Sequence, residues 1–558
     1  MTVSDLLVKI LHAHGIRQVF GIPGDAINDI MESMRTQPEM QFIQVKHEEA
    51  GALAASVQAK LTGSLSVCVG TSGPGAIHLL NGLYDAKLDH APVLAITGQV
   101  ETQYLGTNYH QEVDLERLFN DVSVYSQTIT TESQLPDVLL EACRAALAHR
   151  GVAHLSIPSD VAGRKTGIKL EDISELAFAG EVAAASSDCR RAIELINESE
   201  KVCILAGIGA EQARNELIAM ARKLNAPIVR TLRAKTFIDD THPLCAGGIG
   251  LLGGSPAVKA FDECDTLLMV GTDFPYKEFY PDQANVIQID INPTQIGKRH
   301  PVDVGLVGHA KGILDSLLEG TNRKDDHEFL DRIRDKMDSW QASQQSGRIS
   351  NDVPIKPQRL VHDISQNAPD NAIYVCDTGT LNAWTARHLH LRENQRYTLS
   401  SALGTMGVGL PGAIGAQLAY PDRPVIALCG DGGFSMMMAD LITAVNYDLP
   451  ITVIIHNNQK LGFIALEQEA KGLPAFGIEL NNADFVAYAQ ACGAEGFRVE
   501  HPDQLAPTLK QAFSSDKVSV VDVRVDPDEL IMPPKIEAGQ ALQFTKAKLK
   551  EWFLNQNN

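Results

Sequence analysis

The chain has 558 residues and a formal charge of −21, and at roughly 150 residues per domain that length accommodates three or four domains. So acidic a balance argues against a nucleic-acid footprint, which needs a basic patch. No run of about 18 apolar residues occurs, so no membrane-spanning helix is expected.

The N-terminal Met1-Thr2-Val3-Ser4-Asp5 reads as the start of a helix and not as a secretory signal. Along the first block, Val45-Lys46-His47-Glu48-Glu49-Ala50-Gly51 is a strand end entering a small-residue helix. Buried strands are expected at 66–69, 93–96 and 154–157, and Gly21-Ile22-Pro23-Gly24 and Thr71-Ser72-Gly73-Pro74-Gly75 are strand-to-helix turns. A polar stretch, 163–187, follows. The second block carries strands at 202–205 and 266–270, then a charged segment beginning Arg323-Lys324-Asp325-Asp326 and a polar helix to about Asn351. In the third block, apolar runs at 425–428 and 451–455 read as strands. Continuous apolar strands joined through helices imply parallel sheets covered on both faces. The expected fold is therefore α/β, with three doubly wound parallel-sheet domains at 1–180, 186–335 and 350–530 and a helical tail at 531–558. Nine cysteines are scattered without a CxxC pair. They read as buried, reduced thiols of a cytoplasmic protein.

The most informative stretch is Ile426-Ala427-Leu428-Cys429-Gly430-Asp431-Gly432-Gly433, a strand running into a glycine turn and a helix expected to begin around Phe434. Glycines let backbone approach phosphate oxygens, and a helix start offers N–H groups to an anion. Asn457-Asn458 closes the next strand. A carboxylate (Asp431), an amide oxygen (Asn458) and a backbone carbonyl (Lys460), completed by phosphate and water, would make the oxygen octahedron that Mg²⁺ demands. Asp290, at the end of a strand in Val286-Ile287-Gln288-Ile289-Asp290, is suited to ribose hydroxyls.

The spaced GDG and NN pattern resembles the diphosphate motif of thiamine diphosphate (ThDP) enzymes, and the likeness extends from about residue 3 to about residue 530. It implies Asp431, Asn458 and the Lys460 carbonyl as Mg²⁺ ligands, Gly432 and Gly433 at the diphosphate, and Glu48 as the carboxylate that sets the tautomer of the aminopyrimidine ring. Gly404-Thr405-Met406-Gly407 is similar to the segment that supports the bent cofactor, with Met406 beneath it. In the middle block, Ile249-Gly250-Leu251-Leu252, Thr272-Asp273-Phe274-Pro275-Tyr276 and Asp290 resemble the FAD contacts of bacterial pyruvate oxidases. Phe463 and Glu467 match the oxidases, whereas acetohydroxyacid synthases usually carry tryptophan at the latter position. Tyr109-His110-Gln111-Glu112 departs from the family's Phe-Gln-Glu. His110 there either contacts substrate or is a packing substitution.

The resemblance implies oxidative decarboxylation of pyruvate, a 2-oxo acid, with ThDP, Mg²⁺ and FAD, passing electrons to O₂ or a quinone. The alternatives are a carboligase of the acetolactate synthase type and a non-catalytic homologue. A homodimer or homotetramer is expected, because in this family the cofactor sits between two subunits. The tail, with Lys546, Lys548 and Lys550 flanking an apolar face, is read as a helix. It either docks on the protein itself or makes peripheral membrane contact on the inner face of the membrane.

Overall fold

The computed structural model describes residues 1–172, 181–529 and 531. The tail helix read from the sequence lies outside the described residues. The described strands form three six-stranded sheets, all parallel. The first holds β1 (Gln18–Gly21), β2 (Gln41–Gln44), β3 (Ser66–Gly70), β4 (Val93–Gln99), β5 (Ser123–Thr128) and β6 (Val152–Pro158), in the order β2-β1-β3-β4-β6-β5. The second holds β7 (Val202–Ala206), β8 (Ile228–Arg230), β9 (Cys245–Gly248), β10 (Thr266–Val270), β11 (Asn285–Asp290) and β12 (Val304–Val307), in the order β12-β11-β10-β7-β8-β9. The third holds β13 (Ile373–Cys376), β14 (Arg396–Leu399), β15 (Val425–Gly430), β16 (Thr452–Asn457), β17 (Glu495–Val499) and β18 (Ser519–Arg524), in the order β14-β13-β15-β16-β18-β17. The first and third orders are the same once renumbered.

Parallel sheets of this kind open a crevice where strand order reverses, at the carboxyl ends of the strands. Those points lie between β1 and β3, between β7 and β10, and between β13 and β15. The glycine turns after β1, β3, β7, β10 and β15, and Asp431, fall at these places, whereas Asp290 ends β11, one strand away.

Helix Glu48–Thr62 joins the first and third sheets. Ala50, Gly51, Ala52, Ala54 and Ala55 are all buried, so the helix is covered on every side, as expected of an element without a polar face. It crosses helix Gly409–Ala419 at small residues: a Cβ on Gly415 would stand 2.2 Å from the Ala54 carbonyl oxygen. Backbone contact this close requires glycine.

A buried charge cluster pins the three sheets together. Lys60 Nζ lies 2.7 Å from Asp85 and 2.6 Å from Asp89, and it donates to the Leu399 carbonyl at 3.1 Å. Arg233, from the middle sheet's region, donates to the Asp89 carbonyl at 2.6 Å. Helix Glu328–Arg348, read as part of a polar linker, buries Phe329, Leu330, Ile333 and Met337. All nine cysteines are free, eight of them buried.

Candidate active site

Glu48 is the first residue of its helix, and His47 caps that helix by accepting the Glu49 N–H at 3.3 Å. The Glu48 carboxylate is 7 % exposed. Its Oε2 lies 2.9 Å from His78 Nδ1, and its Oε1 would touch a Cβ on Gly75 at 3.2 Å, so it faces the 71–75 turn. The His47 and His78 rings stack at 4.4 Å. Asn81 donates to Glu49 Oε1 at 2.6 Å and to Thr405 Oγ1 at 2.9 Å, tying the helix start to the 404–406 loop. Gly404 holds φ +65°, a conformation that glycine adopts without strain.

The helix after β15 begins at Asp431, three residues earlier than the sequence reading placed it. The glycines lie inside its first turn because side chains there would collide. A Cβ on Gly433 would sit 2.5 Å from Asp377 Oδ2, and one on Gly432 would sit 3.1 Å from Met406 Cε. Asp431 Oδ2 accepts from Gln459 N at 2.8 Å and from Asn482 Nδ2 at 2.7 Å. Burial nevertheless pushes this carboxyl above its usual range, a cost that a cation at the carboxylate offsets. Asn458 Oδ1 accepts from Lys460 N at 3.2 Å, and Lys460 Nζ pairs with Asp528 at 2.8 Å. These hard oxygen donors beside a glycine cradle fit Mg²⁺ and a diphosphate. The Glu48 and Asp431 clusters share no hydrogen bond or ion pair among the described residues.

Sequence reasoning missed three positions. Asp377, at the end of β13, is fully buried. Its Oδ1 accepts from Thr378 N at 2.7 Å and Gly407 N at 2.8 Å, which fixes the loop bearing Met406, and burial pushes the carboxyl up to about 7. His78 and Asn482 orient Glu48 and Asp431. Asp377-Thr378-Gly379 reads as ordinary turn punctuation, and partners 30 and 51 residues away from the groups they orient leave no local signal.

Phe463 is half-buried and Glu467 exposed on helix Gly462–Ala470, which follows the Asn458–Lys460 turn. His110 is exposed. Gln111, with φ +61°, accepts a long bond from Ser72 Oγ at 3.5 Å. Beside Asn458 and Lys460, a cavity of about 160 Å³ is lined by His456, Thr380, Trp384 and Glu469 among others.

In the middle sheet, the Gly207 and Gly209 pair packs backbone to backbone against Gly271: a Cβ on Gly207 would lie 2.1 Å from the Gly271 carbonyl oxygen. Gly250, with φ +100°, brings the 249–252 loop against Phe274, whose ring would meet its Cβ at 3.1 Å, and Tyr276 packs beside it. Ile249 is buried and Leu251 exposed, and the Leu252 carbonyl accepts from Arg387 at 3.2 Å. Thr272 Oγ1 caps the following turn by accepting from Phe274 N at 3.2 Å, which leads into Pro275. Asp273 is taken by Arg299 at 2.6 Å and Lys298 at 3.1 Å. Asp290 ends β11, accepts from Asn292 N at 2.9 Å, and is pushed up by burial. Arg230, Lys235 and Arg387 wall the crevice beside the 247–254 loop. Burial brings Lys235 down to about 8 although Asp240 lies 2.5 Å away.

The chain matches family models for thiamine pyrophosphate enzymes: the N-terminal TPP-binding domain over residues 1–118, the central domain over 189–317 and the C-terminal TPP-binding domain over 377–523. It is 44% identical over 558 residues to a Bacillus subtilis (strain 168) protein known by name only as thiamine pyrophosphate-containing, YdaP, covering all of this chain and 97% of that one. It is 34% identical to pyruvate oxidase of Lactiplantibacillus plantarum, over 96% of this chain and 90% of the relative. It is 30% identical to the large subunit of acetolactate synthase isozyme 3 of Escherichia coli (strain K12), over 96% and 97%. No described helix is long and apolar enough to cross a membrane.

Proposed function

The chain belongs to the thiamine pyrophosphate enzyme family, and from that premise we propose that it oxidatively decarboxylates pyruvate with ThDP, Mg²⁺ and FAD. The observation that carries the oxidase reading is the middle-sheet crevice. There a glycine-kinked loop following β9 packs on Phe274 and Tyr276 and is walled by three basic side chains, while Asp290 ends β11, on the other side of the reversal of strand order between β7 and β10. This is a constellation suited to an anionic dinucleotide. The likeness to a pyruvate oxidase over nearly the whole chain supports it.

When bound, ThDP supplies the carbon nucleophile and electron sink for decarboxylation, and FAD the two-electron acceptor. The protein's part is to bind, orient and move protons. Asp431, Asn458 and the Lys460 carbonyl would hold Mg²⁺, and Gly432 and Gly433 would admit the diphosphate. Met406, backed by Gly404 and Thr405, would support the cofactor's shape. Glu48, steadied through one oxygen by His78, would hold a proton at the aminopyrimidine ring. Phe463 would exclude water beside the reacting carbon, and Glu467, Gln111 and His110 would face the substrate. Ile249, Gly250, Leu251, Leu252, Thr272 to Tyr276 and Asp290 would contact FAD. With Asp273 engaged by Arg299, Asp290 is the acid left for a ribose. The active unit is at least a homodimer in which Glu48 of one subunit meets Asp431 of another.

Anaerobic addition of pyruvate to the purified protein is expected to bleach a bound flavin and release CO₂. CO₂ release with the flavin left oxidised would overturn the oxidase reading. Acetolactate formed without bleaching would instead establish the carboligase, a reading favoured by the acetolactate synthase relatives.

A further inference from the structure

Three side chains with metal-ligating atoms meet at the start of helix Glu48–Thr62. One ligand atom from each of His47, Glu48 and His78 lies within 4.8 Å of the other two. Glu48 Oε2 and His78 Nδ1 are 2.9 Å apart, and the two imidazole rings stack at 4.4 Å. The side chains of His47 and His78 are 43% and 42% exposed in the single chain, on the face that the proposed dimer turns toward the cofactor cleft. Glu49 stands behind it, its Oε2 4.0 Å from His47 Nδ1, fixed in place by Asn81.

Two imidazoles and one carboxylate, with a fourth position open to water, are the donor set and count that Zn²⁺ takes in open sites. Ligand atoms around a tetrahedral Zn²⁺ stand roughly 3.3 Å apart, given bonds of about 2.0–2.1 Å, so the triangle, within 4.8 Å, needs to close by no more than about 1.5 Å. Mg²⁺ is disfavoured here, because it demands near-octahedral oxygen coordination. The set therefore differs in kind from the all-oxygen set around Asp431.

We propose that His47, Glu48 and His78 form a Zn²⁺ site, and that occupying it excludes ThDP. The exclusion rests on the reading of Glu48 given above: a carboxylate bound to Zn²⁺ is withdrawn from the aminopyrimidine ring. The metal binding itself does not depend on that reading. No bond is made or broken beyond coordination.

The test uses the full chain, stripped of metals and cofactors, with Zn²⁺ titrated against a chromophoric chelator. One Zn²⁺ per chain is expected. His47→Gln and His78→Gln should each weaken it by at least about tenfold, the least that loss of even an outer-shell partner commands, with unchanged far-ultraviolet circular dichroism. Saturating ThDP with Mg²⁺ should weaken Zn²⁺ by a similar factor in the unmutated chain. Absence of Zn²⁺ binding, or equal affinity in both folded variants, overturns the site. Unchanged Zn²⁺ affinity in protein that demonstrably binds ThDP overturns the exclusion. Failure of the Zn²⁺-free protein to bind ThDP in the presence of Mg²⁺ would sink the functional reading, while the variants still decide the metal site.

Discussion

Replacing Asp89 by asparagine separates the charge cluster from the loop it holds. Asp89 is 1 % exposed. Its carboxylate lies 2.6 Å from Lys60 Nζ and 3.8 Å from Arg233, and accepts from Ser401 N at 3.0 Å, Ala402 N at 3.2 Å and Ser401 Oγ. Burial raises its affinity for a proton, but the charges of Lys60 and Arg233, with hydrogen bonds from Lys60 and Ser401, outweigh burial and hold it well below the usual carboxylate range. Breaking a buried ion pair by removing one partner costs about 3–5 kcal/mol. Lys60 keeps Asp85 at 2.7 Å, so the lower end, about 3 kcal/mol, is expected. At roughly 2–4 °C per kcal/mol for a domain of this size, Asp89→Asn should melt about 6–12 °C lower by scanning fluorimetry at pH 7. The sign with pH follows from the depressed folded pKa. The carboxylate's contribution is complete above its unfolded value, about 3.9, and is lost as pH falls toward the folded one, so the gap between variant and parent should narrow in acid. Because Ser401 leads to Gly404 and Met406, the ThDP activation constant should rise as well. A variant that melts within a degree of the parent and binds ThDP equally would refute both the pairing and its link to the loop.

Glu48→Gln should retain ThDP, by calorimetry within a few-fold, while exchange of the thiazolium C2 proton, followed by NMR, slows by about 10²–10⁴, the usual worth of a positioned acid–base group. Gly433→Ala should destabilise by about 1–3 kcal/mol, as overpacking does. Its Cβ meets Asp377 at 2.5 Å, and that side chain is pinned by two N–H groups. Gly432→Ala, which meets the far ends of the Met406, Leu480 and Leu461 side chains at 3.1, 3.2 and 3.4 Å, should cost less in the same melt. Burial brings His456 down to about 4, and neither ring nitrogen has a protein partner among the described residues. The unfolded chain therefore binds a proton that the folded one refuses between pH 6.5 and 4, and stability falls through that window by about 3 kcal/mol from this residue. His456→Leu should flatten the melting temperature between pH 7 and 5; an unaltered slope would exonerate His456.

What could be read from the chain divides by the range of the physics involved. Central strands such as β4 and β15 are buried along nearly their whole length, and a continuous apolar run announces them. Edge strands β2, β5 and β17 carry polar residues and are partly exposed, so nothing in their composition separates them from loop. The GDG and NN pattern is legible because Asp431 and Asn458 follow consecutive strands in the chain, β15 and β16, where a fixed spacing survives folding. The start of the helix at Asp431 was not, since glycines there read as turn until Asp377 and Met406 are seen to fill the space a Cβ would need. Arg299 lies 26 residues from Asp273 and claims it, a pairing that no local pattern encodes.

The first and third sheets share a strand order but present different chemistries. Each sheet reverses direction at the same place, and each puts a crevice there. In the first, Gly21 and Gly70 close the two strands, a Cβ on Gly21 would lie 2.2 Å from the Val69 carbonyl oxygen, and the acid comes from the helix after β2. In the third, the strand ends themselves carry Asp377 and Asp431, one fixing the Met406 loop, the other oriented by Asn482. One crevice thus offers a carboxylate flanked by imidazoles, the other an oxygen cage beside glycines. A ligand with a basic heterocycle at one end and a metal-bound diphosphate at the other satisfies both, whereas a plain nucleotide diphosphate would leave Glu48 with only His78 to answer it.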